Sequence, residues 1–157
     1  MGQLRSMSKL NSYSRKDQGL TLMELVVVLA LLSFGLARAV PAARHQLDRM
    51  AVVAAREATA GLFHQAREEA VARGKAEVVL TAAPAKAELM AGSDPPIQSN
   101  LEEGFGVSLA LSGNRQEVRM IFGPLGLGRV TSQTLRFRRG QAEAQLVISS
   151  LGRVSRR

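Results

Sequence analysis

Leu20 and Glu24 stand four residues apart at the head of an apolar run, Leu20 to Ala37, in which Glu24 is the one charged side chain. A carboxylate left alone in hydrocarbon costs about 2.5–3.5 kcal/mol on insertion scales. The chemistry open to it is pairing with an ammonium. Cleavage between Gly19 and Leu20 would create one on Leu20, one helical turn away on the same face. A neighbouring copy stacked in register would present the same amine. An acid in the first turn also suits the helix dipole. A second reading is an ordinary secretory signal, with Leu25 to Ala37 as its apolar stretch and cleavage after Ala37-Arg38-Ala39. The mature chain would then start at Val40, and Glu24 would be removed with the leader.

The remaining candidates for chemistry are sparse. The formal net charge is +8, which points to anionic partners such as nucleic acid, lipid headgroups or acidic proteins. From Arg115 to Arg157 every basic residue is Arg, nine against Glu117 and Glu143. Guanidinium suits bidentate phosphate or carboxylate contact better than ammonium. Arg136 and Arg138 share one face of an expected strand, and Arg153, Arg156 and Arg157 crowd the tail. Only six residues are aromatic, five Phe and one Tyr, so base stacking on single strands is disfavoured. No Cys is present, which excludes disulfides and thiolate chemistry. His45 and His64 lack ligand-spaced partners, so no metal is expected. Glu68 and Glu69 adjoin on a charged helix face rather than facing across a cleft. The glycines of GPLGLG (residues 123–128) lack the Lys and Ser/Thr of a phosphate loop and mark a turn. Neither a catalytic constellation nor a cofactor site emerges, and the expected class is not an enzyme.

The elements that must position these groups follow from periodicity. Leu20 to Ala37 is 18 residues, about 27 Å as a helix, close to the ~30 Å hydrocarbon core of a bilayer. Basic residues before it (Arg5, Lys9, Arg15, Lys16) favour a cytosolic leader, although Arg38, Arg44 and Arg49 follow on the far side; Met7 is an alternative initiator. From Ala39 the pattern becomes amphipathic. Ala54, Ala58, Leu62, Ala66 and Ala70 recur every four residues as one stripe, with Arg49, Arg56 and Arg67 on another face. One helix is expected from Leu20 to Arg73, passing Pro41 without ending, and stopping at Gly74. The period then changes to two. Lys75 to Thr81 reads as a strand, Thr81 to Asn100 with Pro84, Pro95 and Pro96 as a loop. Alternating apolar residues at 105–111, 118–122, 135–137 and 146–148 read as further strands of an antiparallel sheet with one buried face. The expected class is α+β: a long N-terminal helix, membrane-spanning in its first half, packed on a small antiparallel sheet domain.

Gly19-Leu-Thr-Leu-Met-Glu24 followed by an aliphatic helix resembles the N-terminus of type IV pilins and type II secretion pseudopilins: Gly at the cut, a hydrophobic first residue, Thr second and Glu fifth. Leu20 departs from the usual Phe. Pro41 falls where pilins commonly carry a helix-kinking proline. QAREEAVARGKAEVVL, GPLGLGRVTSQTLRF and SSLGRVSRR are similar to the GspH/FimT family of minor pseudopilins and minor pilins, with Gly128-Arg129-Val130 and Gly152-Arg153-Val154 matching its two Gly-Arg motifs.

The resemblance implies a division into a leader (1–19) removed by prepilin peptidase, a transmembrane and filament-core helix (20–38), its amphipathic continuation (39–74) and a periplasmic β-rich domain (75–157). It implies N-methylation of Leu20, and assembly roles for Thr21, Glu24 and Pro41. The implied partners are other pseudopilins or minor pilins, an inner-membrane assembly platform and inner-membrane lipid. The implied function is that of a minor subunit near the tip of a type II secretion pseudopilus. The alternative it carries is a FimT-like minor pilin that binds DNA through Arg136, Arg138, Arg153, Arg156 and Arg157.

The two cleavage readings separate by intact mass of the processed chain. The expected species begins at methylated Leu20; a chain beginning at Val40 would replace the retained helix with an ordinary signal peptide.

Overall fold

The computed structural model describes residues 21–129 and 131–157. The expected cleavage and methylation positions, Gly19 and Leu20, lie outside them, as does Val130. The chain divides into two units, Met1–Arg38 and Ala39–Arg157.

Helix α1 covers Leu22–Arg73. Its start is fixed by Thr21, whose Oγ1 accepts a hydrogen bond from the Glu24 amide at 3.2 Å. One of the helix's otherwise unpartnered N–H groups is thereby satisfied. Within the apolar stretch, Ser33 donates its hydroxyl to the Leu29 carbonyl at 2.8 Å, so even this polar side chain asks nothing of its surroundings. The helix continues through Pro41, as the sequence implied. It ends at Gly74, which has φ +88° and donates its amide to the Ala70 carbonyl at 2.8 Å.

In the second unit, the later part of α1 and two antiparallel sheets enclose one aliphatic core. The strands are β1 (Ala76–Thr81), β2 (Lys86–Met90), β3 (Ile97–Asn100), β4 (Ser108–Leu111), β5 (Glu117–Phe122), β6 (Gly128–Arg129), β7 (Gln133–Arg139), β8 (Ala142–Ile148) and β9 (Val154–Arg156), with a short helix α2 (Leu101–Phe105) between β3 and β4. One sheet runs β3-β2-β1-β5-β6 and the other β4-β7-β8-β9. Strand β5 alternates strictly, burying Val118, Met120 and Phe122, while central β1 buries Ala76, Val78, Val79 and Leu80. Phe122 meets Phe63 of α1 edge to face, with ring centroids 6.2 Å apart.

Three expectations are corrected. The buried stripe of α1 is Val52, Ala55, Thr59, Ala60, Leu62, Phe63, Ala66 and Ala70; Ala54 is exposed and Ala58 half-buried. A strict spacing of four advances about 40° per step at 3.6 residues per turn, so it drifts off any fixed face. The true stripe mixes spacings of three and four. Second, the stretch from Thr81 to Asn100 is not a loop throughout. It holds β2 and β3, whose pairing runs from Lys86↔Asn100 to Leu89↔Ile97. Its prolines flank these strands instead of interrupting them, and β2 shows the period-two burial of Ala87 and Leu89. Third, the strands form two sheets, not one.

The two sheets adjoin where Gly128 donates its amide to the Leu151 carbonyl at 3.1 Å. A Cβ on Gly128 would lie 3.0 Å from the Gly152 Cα, and one on Gly152 would lie 2.6 Å from the Phe122 ring. Gly152 also has φ +80°. Gly152→Ala therefore combines a left-handed backbone with a steric overlap, and a loss of about 1–3 kcal/mol is expected. Gly61→Ala, in the interior of α1 with nothing within 4 Å of its new methyl, is expected to gain roughly 0.5–1 kcal/mol. Thermal denaturation of the two variants in detergent checks both signs.

Candidate functional site

At the N-terminal end of α1, Glu24 occupies the first turn, exposed, next to its cap Thr21. Thr-x-x-Glu is the spacing of a capping box, a signal legible in the sequence but not used there. Thr21 and Glu24 thus define where the helix begins as well as matching a family pattern. All of Thr21 to Arg44 is exposed in the isolated chain. The most apolar 18-residue window of α1 has a mean hydropathy of 2.1 and buries nothing. Nothing in the described chain shields this surface, which together with its length and composition suits it to membrane anchoring.

The five candidate arginines are split among separate places. Arg136 and Arg138 both point outward from β7. Arg138 pairs with Glu143 at 2.7 Å, and Glu143 is held below the ordinary carboxylate range by hydrogen bonds from Gln145 and Arg138. Arg136 lies opposite Gln145 in the ladder and lines, with Thr134, Gln145, Val147 and Arg157, an open depression of about 520 Å³ on the outer face of the second sheet. Arg156 instead reaches back to α1 and pairs with Glu57 at 2.8 Å. Arg153 sits exposed in the turn before β9. Sequence reasoning therefore grouped residues that the fold brings together only in part: Arg136 and Arg157 share one depression, while two of the five are committed to ion pairs.

Sequence reasoning also missed the tethers between α1 and the chain's later segments. Arg56, assigned to a face apart from the apolar stripe, pairs with Glu57 at 2.9 Å and donates to the Arg157 carbonyl at 3.4 Å. Arg67, likewise assigned to a separate face, is half-buried and donates to the Gly152 carbonyl at 3.0 Å. Arg139 pairs with Asp48 at 2.9 Å and donates to the Phe105 carbonyl at 2.6 Å. Glu69, one of the adjacent acids, pairs with Arg73 at 2.8 Å. The Arg56–Glu57 and Glu69–Arg73 pairs are local to α1, but the contacts of Arg56 with Arg157, Arg67 with Gly152, and Arg139 with Asp48 and Phe105 join residues far apart in sequence, which explains why spacing alone did not reveal them. Among the described residues no group of three His, Asp or Glu stands ready to hold a metal ion.

An apolar helix opened by a capped acid, and continued into a core shared with antiparallel sheets, is the build of a pilin-type subunit. The comparisons agree. The profile described as Type II transport protein GspH matches residues 55–152, and the prokaryotic N-terminal methylation motif matches residues 14–37. The chain belongs to the GspH family. Two crystal structures of the type IV minor pilin FimU from Pseudomonas aeruginosa share its fold. One has a TM-score of 0.52 at 17% identity, covering 68% of this chain and 87% of that one. The other has a TM-score of 0.51 at 18% identity, covering 66% and 90%. No curated protein matches the chain.

The Glu57 tether yields a pH prediction. Hydrogen bonds from Arg156, and then Arg56, lower the Glu57 carboxyl below its ordinary value of 4.5. A lowered folded-state pKa stabilises above the unfolded value and is lost as pH falls through the folded one. The Tm difference between the parent and Glu57→Gln should accordingly be present at pH 7 and shrink as the pH falls below 4.5 through the lowered folded-state value, in paired thermal melts.

Proposed function

We propose that this chain is a minor pseudopilin of a type II secretion machine, anchored in the inner membrane by α1 with its β domain in the periplasm, and incorporated near the tip of a short filament. Residues 1–19 are its leader, cut between Gly19 and Leu20 by prepilin peptidase with methylation of Leu20; residues 20–38 form the membrane and filament-core helix, 39–74 its continuation and 75–157 the periplasmic domain. The observation that carries this reading is the bare apolar half of α1 opened by Glu24, on a chain whose remainder matches the GspH family. In the membrane, Glu24 would pair with the Leu20 amine of its own or a neighbouring chain; methylation keeps that amine charged. On assembly, apolar contact with other subunits replaces contact with lipid, and an inner-membrane platform drives the transfer. Pro41, inside α1, is assigned to assembly with Thr21 and Glu24. The subunit binds and moves with its neighbours, with no bond-making role.

A second reading, a FimT-like minor pilin that takes up DNA, is favoured by one observation: Arg136 and Arg157 line the same depression. The pairing of Arg138 and Arg156 with Glu143 and Glu57 works against it, because guanidinium already facing a carboxylate is less available to phosphate.

The experiment is filament incorporation of Glu24→Gln in the host, measured by fractionation against the parent. A loss of at least about tenfold is expected, in line with the cost of leaving the Leu20 amine without its carboxylate partner. Retardation of duplex DNA by the full-length protein at moderate salt, abolished by replacing Arg136 and Arg157, would move the assignment to the second reading.

A further inference from the structure

Gly128-Arg129 and Gly152-Arg153, 24 residues apart in the chain, meet at the seam between the sheets. Gly128 and Gly152 touch there through backbone, which sets Arg129 and Arg153 on the same junction. Both are exposed, and neither side chain has an ion pair or hydrogen bond among the described residues. Beside them lies a set of apolar side chains that the domain does not cover: Leu125 is 81% exposed, Leu151 62%, Val71 59% and Leu127 48%. Their proximity is fixed. Gly126, between the two leucines of the 123–128 turn, lies directly over Arg67 and Val71 of α1, and the Leu151 carbonyl takes the Gly128 amide. Branched apolar residues at a turn tip gain nothing from water, so their placement calls for a cover.

We infer that this junction is a docking surface for a different pilin-type subunit, one that presents an apolar patch rimmed by carboxylates. Three observations select that occupant. The apolar centre with charge at its edge is the anatomy of a protein interface. Duplex DNA would be met by guanidinium alone, and the leucines would face its phosphates unrewarded. A second copy of this chain is disfavoured by charge: residues 115–157 carry nine Arg against two Glu, and both of those Glu are already ion-paired. Two such surfaces brought together would set like charges face to face. An acidic rim would instead meet Arg129 and Arg153 while the leucines lose water. The identity of the partner as a pilin-type subunit rests on the filament reading above; the surface and its charge preference do not.

The chain has no cysteine, so Leu125→Cys in the full-length protein offers a unique attachment point for a benzophenone maleimide, with exposed Ala110→Cys on β4 as a position outside the surface. Photolysis in host membranes should give a single adduct at Leu125, with a different pilin-type subunit, through peptides rich in Asp and Glu, and no such adduct at Ala110. Adding Arg129→Glu with Arg153→Glu should cut its yield roughly tenfold. A partner with those carboxylates changed to Lys should restore it. Both arginines are exposed, so an unchanged melting curve verifies that the variant is folded. No adduct, an adduct with DNA or with a second copy, or one indifferent to the charge reversal would overturn the inference. A Glu24→Gln arm separates the two readings. Its incorporation at the parental level overturns the filament reading whatever forms at Leu125. Normal dependence on Glu24 without an adduct overturns the docking surface alone.

Discussion

Packing of the small-residue face of α1 into a core shared with both sheets is the constraint on which the globular part rests. Ala55, Ala60, Ala66 and Ala70 are fully buried along the helix, and each removes a side chain that would hold a sheet away. Phe63 then has room to reach Phe122, and the larger aliphatics of β5, β7 and β8 close over the stripe. Alanine suits this position twice over, because it has the highest helix propensity and loses no side-chain entropy on burial. The same helix carries bulky, bare Leu and Val in its first part. One continuous backbone thus serves two environments: small residues where the protein supplies its own cover, large ones where something else must.

Much of this was legible in the residues, for identifiable reasons. The apolar run, Glu24 and the Gly74 stop are local signals, and a helix of this length hardly depends on tertiary context for its existence. Strands β5, β7 and β8 alternate cleanly because one face of each is wet. Strand β3 gave no such signal: Ile97, Gln98 and Asn100 are all exposed, and an edge strand with little burial has no periodicity to read. The division into two sheets was hidden for another reason. Which strands pair is a matter of long-range register, and the seam depends on two glycines whose meeting no spacing rule foretells. The candidate arginines suffered likewise. Runs of Arg look like one basic face on paper, but β7, β9 and the turn between β8 and β9 send them to different places, some toward acids of α1 or β8.

Ion pairs in this domain act mainly as connectors. Most are substantially exposed, a setting in which each contributes little to stability. Their arrangement is more telling than their number. Asp48, Glu57 and Glu69 are spread along α1, and each holds an arginine; the first two reach segments that lie far away in sequence. Arg67 adds a third attachment outside the helix, through the Gly152 carbonyl. Together they fix turns and chain ends that the aliphatic core, lying deeper, does not reach.

The last strand has a bearing on how the protein is made. Arg157 exchanges both backbone hydrogen bonds with Gln145, and Gly152 covers Phe122. Until residues 152–157 have emerged from the ribosome, β8 is an open edge and the aromatic centre of the core lacks part of its lid. Closure of the head therefore waits on residues 152–157, and a chain lacking them would leave both the β8 edge and Phe122 without their cover.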